Sequence, residues 1–207
     1  MSKGTVYPFI LEFLLKQLKT GACVLETGCG AGLYRDPLTR AGATYVGTDV
    51  RNDHYQSPGD VDVFCSADYL PFADESFDLV FNQGAIDYMP QPQKVLTEAW
   101  RVLKPGGVFL IFTYEHRVLL EIHDNCSKSQ REWEGAHWVF ESSEMISMLN
   151  SAGFKSREVS GELDTWRPEG LLKLAIALLS GSLTKTRLAN SHWRAFLGKK
   201  RSPCLWG

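Results

Sequence analysis

The stretch Val24–Tyr34, VLETGCGAGLY, decides how the rest of the chain is read. An apolar run ends in Glu26, and glycines follow at alternate positions, Gly28, Gly30 and Gly32. Such a run, punctuated in this way, reads as a buried strand over 23–27 that enters a turn. Side-chain-free residues let the backbone approach a ligand closely and take dihedrals closed to others. In an open α/β sheet, that turn lies at the carboxyl edge, where ligands bind. A dinucleotide turn, G-x-G-x-x-G, demands a small residue at position 33, where Leu33 stands. Glu26, two residues before the first glycine, would repel a pyrophosphate but help to hold an ammonium group. The loop therefore favours a nucleoside bearing a cationic amino acid over NAD.

Outward from the loop, short apolar runs alternate with helical stretches. Strands are predicted at TYVGTDV (44–50), VDVFCSA (61–67), FDLVFNQ (77–83) and GVFLIFTY (107–114), with a sixth at KSREVSG (155–161). Helices are predicted over 5–19, with a stripe of Phe9, Leu11, Leu14, Leu15 and Leu18, and over 37–41, 92–103 and 142–154. This alternation argues an open, mostly parallel sheet covered on both faces. At 207 residues and 44% hydrophobic, the chain is expected to be a single domain, 1–207.

Two further acids stand where strands end. Asp49 closes the second strand, where a carboxylate can accept from both hydroxyls of a ribose. Asp68 follows the third, where an acid can accept from an exocyclic adenine amine. A net charge of −2 gives no reason to expect nucleic-acid binding. Its distribution is uneven: residues 171–207 hold 7 Lys and Arg and no acid, against 15 Lys and Arg and all 24 acids in residues 1–170. The five cysteines form no CxxC pair, and no two histidines have metal-ligand spacing, so no metal is expected. No signal peptide or membrane span is read, and the expected location is cytoplasmic.

VLETGCGAG, GTDV, ADYLPFADESFDLV and RVLKPGG, in this order, resemble a class I S-adenosylmethionine-dependent methyltransferase, closest to the type 11 family. The resemblance implies a Rossmann-like α/β fold with sheet order 3-2-1-4-5-7-6. It places Gly28 and Gly30 under the methionine portion of S-adenosylmethionine, with Glu26 near its ammonium, and takes in Cys29, Gly32 and Val50. It gives Asp49 to the ribose, Asp68 with the Tyr69–Leu70 backbone to the adenine, and Asn82 and Gln83 to the methionine and substrate side. S-adenosylhomocysteine is the implied product, and the acceptor is a small molecule, aromatic or apolar, methylated on oxygen or nitrogen. A macromolecular or lipid acceptor, a cofactor-binding scaffold and a non-methylating enzyme of the same fold are the alternatives.

Methyl transfer chiefly requires the nucleophile to be held in line and water excluded, and a base matters only where the acceptor must lose a proton. The family often carries an acid–histidine pair after strand four; here GAIDYM supplies Asp87 and Tyr88. Asp87 is a candidate base, with helix capping or a surface role ahead of it. His116, after the fifth strand, is the preferred base, with Tyr114 as an orienting hydroxyl; His123 and His137 follow. Residues 115–141 are too long for a plain connection and read as a substrate lid. Tyr7, Tyr34, Trp133, His137 and Trp138 are the candidate acceptor wall. An N-terminal helix or lid occupies 1–20. Residues 162–207 read as a basic helical tail leading to a short or truncated last strand, with surface association through 171–201 as a lesser expectation. A monomer or homodimer is expected.

Overall fold

The computed structural model describes residues 6–51, 56–114, 138, 140–163 and 193–202. Seven strands form one sheet: β1 (Cys23–Thr27), β2 (Thr44–Asp49), β3 (Val63–Phe64), β4 (Phe77–Gln83), β5 (Leu103–Tyr114), β6 (Lys155–Glu158) and β7 (Trp193–Lys199). Their order is β3-β2-β1-β4-β5-β7-β6, the order that the family resemblance implies. β1 to β5 run parallel, and β7 is antiparallel to both its neighbours. Among the described residues, the helices are α1 (Pro8–Gln17), α2 (Arg35–Arg40), α3 (Pro92–Val102), α4 (Ser142–Ser151) and α5 (Ser160–Leu163), with a 3-10 turn at Ile86–Tyr88.

The core lies in two layers because the strand period of two splits each buried strand between the faces. Val24, Leu79, Phe81, Leu110 and Phe112 pack under α1 and α2. Leu25, Val80, Phe109 and Ile111 pack under α3 and α4, whose apolar sides are Val95, Leu96 and Ala99, then Met145 and Leu149. α1 starts at Pro8, a residue suited to a first helical turn. It buries Phe9, Ile10, Phe13 and Leu14, so the inward stripe differs from the predicted one, and Leu15 faces outward. The N-terminal helix is thus built into the core, with Phe13 edge-on to Phe112 at 6.3 Å.

The C-terminal expectation needs correction. The last strand is neither short nor truncated: it is Trp193–Lys199, within the segment read as a basic tail. Arg194 and Lys199 obscure a strand buried on both faces, with Trp193 and Ala195 in one layer and Phe196 in the other. Gly198 leaves room for Phe154, which a Cβ would meet at 2.9 Å. Residues 160–163, partly assigned to a strand, instead form α5. β5 begins earlier than predicted because Leu103 already pairs with Phe77, before a register shift around KPGG. No helix among the described residues is long and apolar enough to cross a membrane.

Candidate cofactor site at the glycine turn

β1 delivers its last residue, Thr27, to the carboxyl edge, and the turn that follows docks on β2: Gly28 N and Cys29 N donate to Thr48 O at 2.8 and 3.0 Å. Gly28, Gly30 and Gly32 all have left-handed φ, between 55° and 71°, a conformation that costs other residues about 1–2 kcal/mol. Two of the three are also closed in by the chain itself. A Cβ on Gly28 would stand 2.4 Å from Ala85 Cβ, and one on Gly32 would stand 2.6 Å from Asp60 O. Beside the ligand approach and the turn dihedrals expected from the sequence, the chain's own packing thus requires glycine at two of these positions.

Asp49 is the joint between this turn and β2. Its Oδ2 accepts from Gly30 N at 2.7 Å and its Oδ1 from Val50 N at 2.7 Å. The Gln56 side chain is a third donor to the carboxyl, and the carboxyl's four lone-pair directions leave one for a hydroxyl. Burial pushes the Asp49 carboxyl above its usual range, against the two backbone bonds. Val50 beside it is 52% exposed and offers an apolar surface at the mouth.

Glu26 is 2% exposed and accepts a hydrogen bond from the Tyr45 hydroxyl. Burial raises its pKa to about 8. Tyr45 had no assigned role, yet the alternation in TYVGTDV, which puts Tyr45, Gly47 and Asp49 on one strand face, was there to be read.

Asp68 accepts from Gln91 Nε2 at 3.3 Å. The neighbouring Tyr69–Leu70 backbone is engaged within the chain: Tyr69 N donates to Ser66 O at 3.0 Å and Leu70 N to Glu98 Oε2 at 2.9 Å. Arg101 explains why the LPF loop and the RVLKPGG segment occur together. Its guanidinium donates to Leu70 O, Phe72 O, Asp74 and Glu98 at 2.7–2.9 Å, clamping the loop to α3.

On the other side of the turn, Asn82 is the penultimate residue of β4 and wholly buried. Its amide donates to Thr27 O and Thr27 Oγ1 at 2.9 and 3.0 Å and accepts from Ala85 N and Ile86 N at 3.3 and 2.8 Å. It therefore staples β1 to the loop over Gly28, and Gln83 follows at the strand's end. Asp87 corrects an expectation: it neither caps a helix nor lies on the surface. It is fully buried in the 3-10 turn, with Thr113 Oγ1 of β5 at 2.5 and 2.7 Å from its two oxygens. Burial raises its pKa to about 6.

Two predicted acceptor-wall residues belong to the core side of the fold. Tyr34 is 1% exposed and packs edge-on to Phe81; its hydroxyl accepts from Tyr7 N at 3.3 Å. Tyr7 itself is partly buried and packs edge-on to Trp193 at 5.0 Å. Trp138 is 43% exposed. Its backbone N–H donates to Asp87 O at 2.7 Å, and its ring stacks on Phe140 beside a groove of about 330 Å³ that also includes Pro90, Gln91 and Met148. His116, His123, Trp133, His137 and the Tyr114 side chain lie outside the described residues. Among the described residues, no cluster of three or more His, Cys, Asp or Glu could hold a metal ion.

Residues 25–111 match the family model described as a methyltransferase domain. Over 102 residues the chain is 36% identical to a ubiquinone biosynthesis O-methyltransferase of Dinoroseobacter shibae, a match covering 45% of this chain and 41% of that enzyme. The chain spans less than half the length of the curated relatives it matches. Among solved structures, the YcgJ protein of Bacillus subtilis superposes with a TM-score of 0.61 at 19% identity, covering 93% of this chain and 98% of that one. Phosphoethanolamine N-methyltransferase 2 of Haemonchus contortus, solved with S-adenosylhomocysteine, gives 0.59 at 20% identity, covering 93% and 52%. The fold is that of the class I methyltransferases.

Proposed function

We propose that this chain, whose residues 25–111 match a methyltransferase domain, transfers a methyl group from S-adenosylmethionine to the oxygen or nitrogen of a small apolar or aromatic molecule. The observation that carries the reading is the Gly30–Asp49 bond of 2.7 Å, which sets a carboxylate acceptor at the carboxyl edge beside the glycine turn. The donor set suits the cofactor's chemistry: Asp49 for ribose hydroxyls, the buried acid Glu26 for an ammonium, and Asp68 for an amine. The relatives' names, and the S-adenosylhomocysteine in a structure of the same fold, support the same reading.

When bound, S-adenosylmethionine supplies a methyl carbon already activated by its sulfonium. The protein's part is to bind, orient and dehydrate. Asn82 positions the loop over Gly28 by stapling it to β1, and Asp87 positions the 3-10 turn by gripping Thr113 across to β5. The segment 115–141 acts as the substrate lid, a reading supported by the Trp138 N–H on Asp87 O. Where the acceptor must lose a proton, His116 accepts it and Tyr114 orients the ring. The groove beside Trp138 and Phe140 gives the lid's end an apolar surface. The expected setting is the cytoplasm.

Calorimetric titration with S-adenosylhomocysteine, with NAD as control, tests the reading. Binding of the first alone supports it and justifies screening aromatic acceptors for methylation. Binding of neither, or of NAD alone, overturns it.

A further inference from the structure

Tyr45 is an unusual tenant of its place. It lies in the core under α2, among Val24, Leu38 and Phe81, where an aliphatic side chain would fill the space without a hydroxyl to satisfy. That hydroxyl is spent on Glu26. Room for it comes from Gly47, two residues along the same strand face, where a Cβ would stand 2.8 Å from the Tyr45 oxygen and 3.0 Å from Cys29 Sγ. The ring is pinned by Arg35, whose guanidinium carbon lies 4.8 Å from its centroid. Arg35 in turn is held by Asp62 Oδ1 at 2.8 Å and Asp60 O at 3.2 Å. The other oxygen of Asp62 accepts from Gly47 N at 2.7 Å. A continuous set of contacts thus runs from the 60–62 loop to the acid beneath the glycine turn.

We propose that Tyr45 is a positioning residue for the cofactor's ammonium: its hydroxyl fixes the Glu26 carboxylate, Gly47 is its slot and Arg35 its clamp. The inference rests on the S-adenosylmethionine reading and deepens it. A carboxylate taken out of water needs donors to remain charged. Burial raises Glu26 most, and Asp49 adds to the rise; the Tyr45 hydroxyl and Arg35 oppose it. Cys29, also close by, is pushed up by burial and by Glu26 and stays a neutral thiol. Tyr45 is thus the hydrogen-bond donor that favours the anion an ammonium requires.

The test compares S-adenosylhomocysteine with 5′-methylthioadenosine, which keeps the nucleoside and thioether but lacks the amino acid. Tyr45→Phe retains the ring and its packing. It is expected to weaken S-adenosylhomocysteine about tenfold at pH 7 while leaving 5′-methylthioadenosine unchanged. The deficit should shrink as pH rises, because loss of the donor moves Glu26 ionisation upward. Gly47→Ala, which displaces the hydroxyl from its slot, should give the same pattern. Equal affinities of wild type and Tyr45→Phe for S-adenosylhomocysteine at every pH would overturn the role. So would equal losses for both ligands, which mark general damage to the turn. Failure of the wild type to bind either ligand overturns the cofactor reading, and this role with it.

Discussion

Asp49→Asn tests the joint between the glycine turn and β2 with little change of shape. In the wild type, each carboxylate oxygen takes one backbone N–H, Gly30's on Oδ2 and Val50's on Oδ1, both at 2.7 Å. An amide has one oxygen, so in either flip its NH₂ faces a backbone N–H. One bond is lost and the other loses its charge assistance. Hydrogen bonds to charged groups contribute about 1.5–3 kcal/mol each, so we expect destabilisation of about 2 kcal/mol. For a domain of this size, that lowers Tm by about 4–8 °C. The amide also removes the anionic oxygens offered to the ribose, and S-adenosylhomocysteine should bind at least about tenfold more weakly, or about 1.4 kcal/mol. Scanning and titration calorimetry read the two effects separately. An unchanged Tm would refute the energetic reasoning. A lowered Tm with an unchanged Kd would take Asp49 out of the ribose role.

Asn82→Ala should destabilise by about 3–5 kcal/mol, since Ile86 N and Thr27 O are left buried without partners at about 1–3 kcal/mol each and a cavity is added; chemical denaturation checks it. Gly32→Ala meets both a φ of 63° and a carbonyl 2.6 Å from the new Cβ. We expect a loss of at least about 1 kcal/mol, read in the same assay. Asp87→Asn probes linkage. The folded pKa of about 6 lies above the ordinary aspartate value of 3.8, so the native state holds the proton more tightly. Wild-type stability should therefore fall as pH rises from about 4 to about 6, by on the order of 2 kcal/mol. The Asn variant should lack that part of the slope, and parallel pH profiles of the two proteins would contradict the assignment.

The parallel half of the fold was legible because buried strands between turn signals leave a strong local pattern. CVLET and FDLVFNQ match β1 and β4 residue for residue. The place of β7 in the sheet was expected, but its full span was not, for a physical reason: WRAFLGK lies between two strands, yet carries Arg194 and Lys199 and leads into Lys200 and Arg201, so its composition resembles a solvated tail. Lys200 is in fact buried, with its Nζ 2.8 Å from Leu103 O and over the Trp100 ring. The positions of Glu26 and Asp49 at the ends of β1 and β2 were legible in the sequence. The partners of Glu26 and Asp87 were not, because Tyr45 reaches Glu26 from the neighbouring strand and Thr113 reaches Asp87 from β5 to the 3-10 turn, across 19 and 26 residues of sequence. Tyr34 was misjudged since an aromatic beside a ligand loop and one beneath it look alike until the chain is folded.

The antiparallel β7 also sets a timetable. Among the described residues, β6 pairs with β7 and with no other strand, and β5 keeps one edge open until β7 arrives. During synthesis from the N-terminus, the five parallel strands can assemble while residues 193–199 are still unmade. The nascent domain then passes through an interval in which the apolar edge of Val108–Tyr114 is available to any extended segment. A ribosome that stalls between residues 163 and 193 would leave a chain with its glycine turn complete but its sheet unsealed. Such a chain would be a target for chaperones and for aggregation.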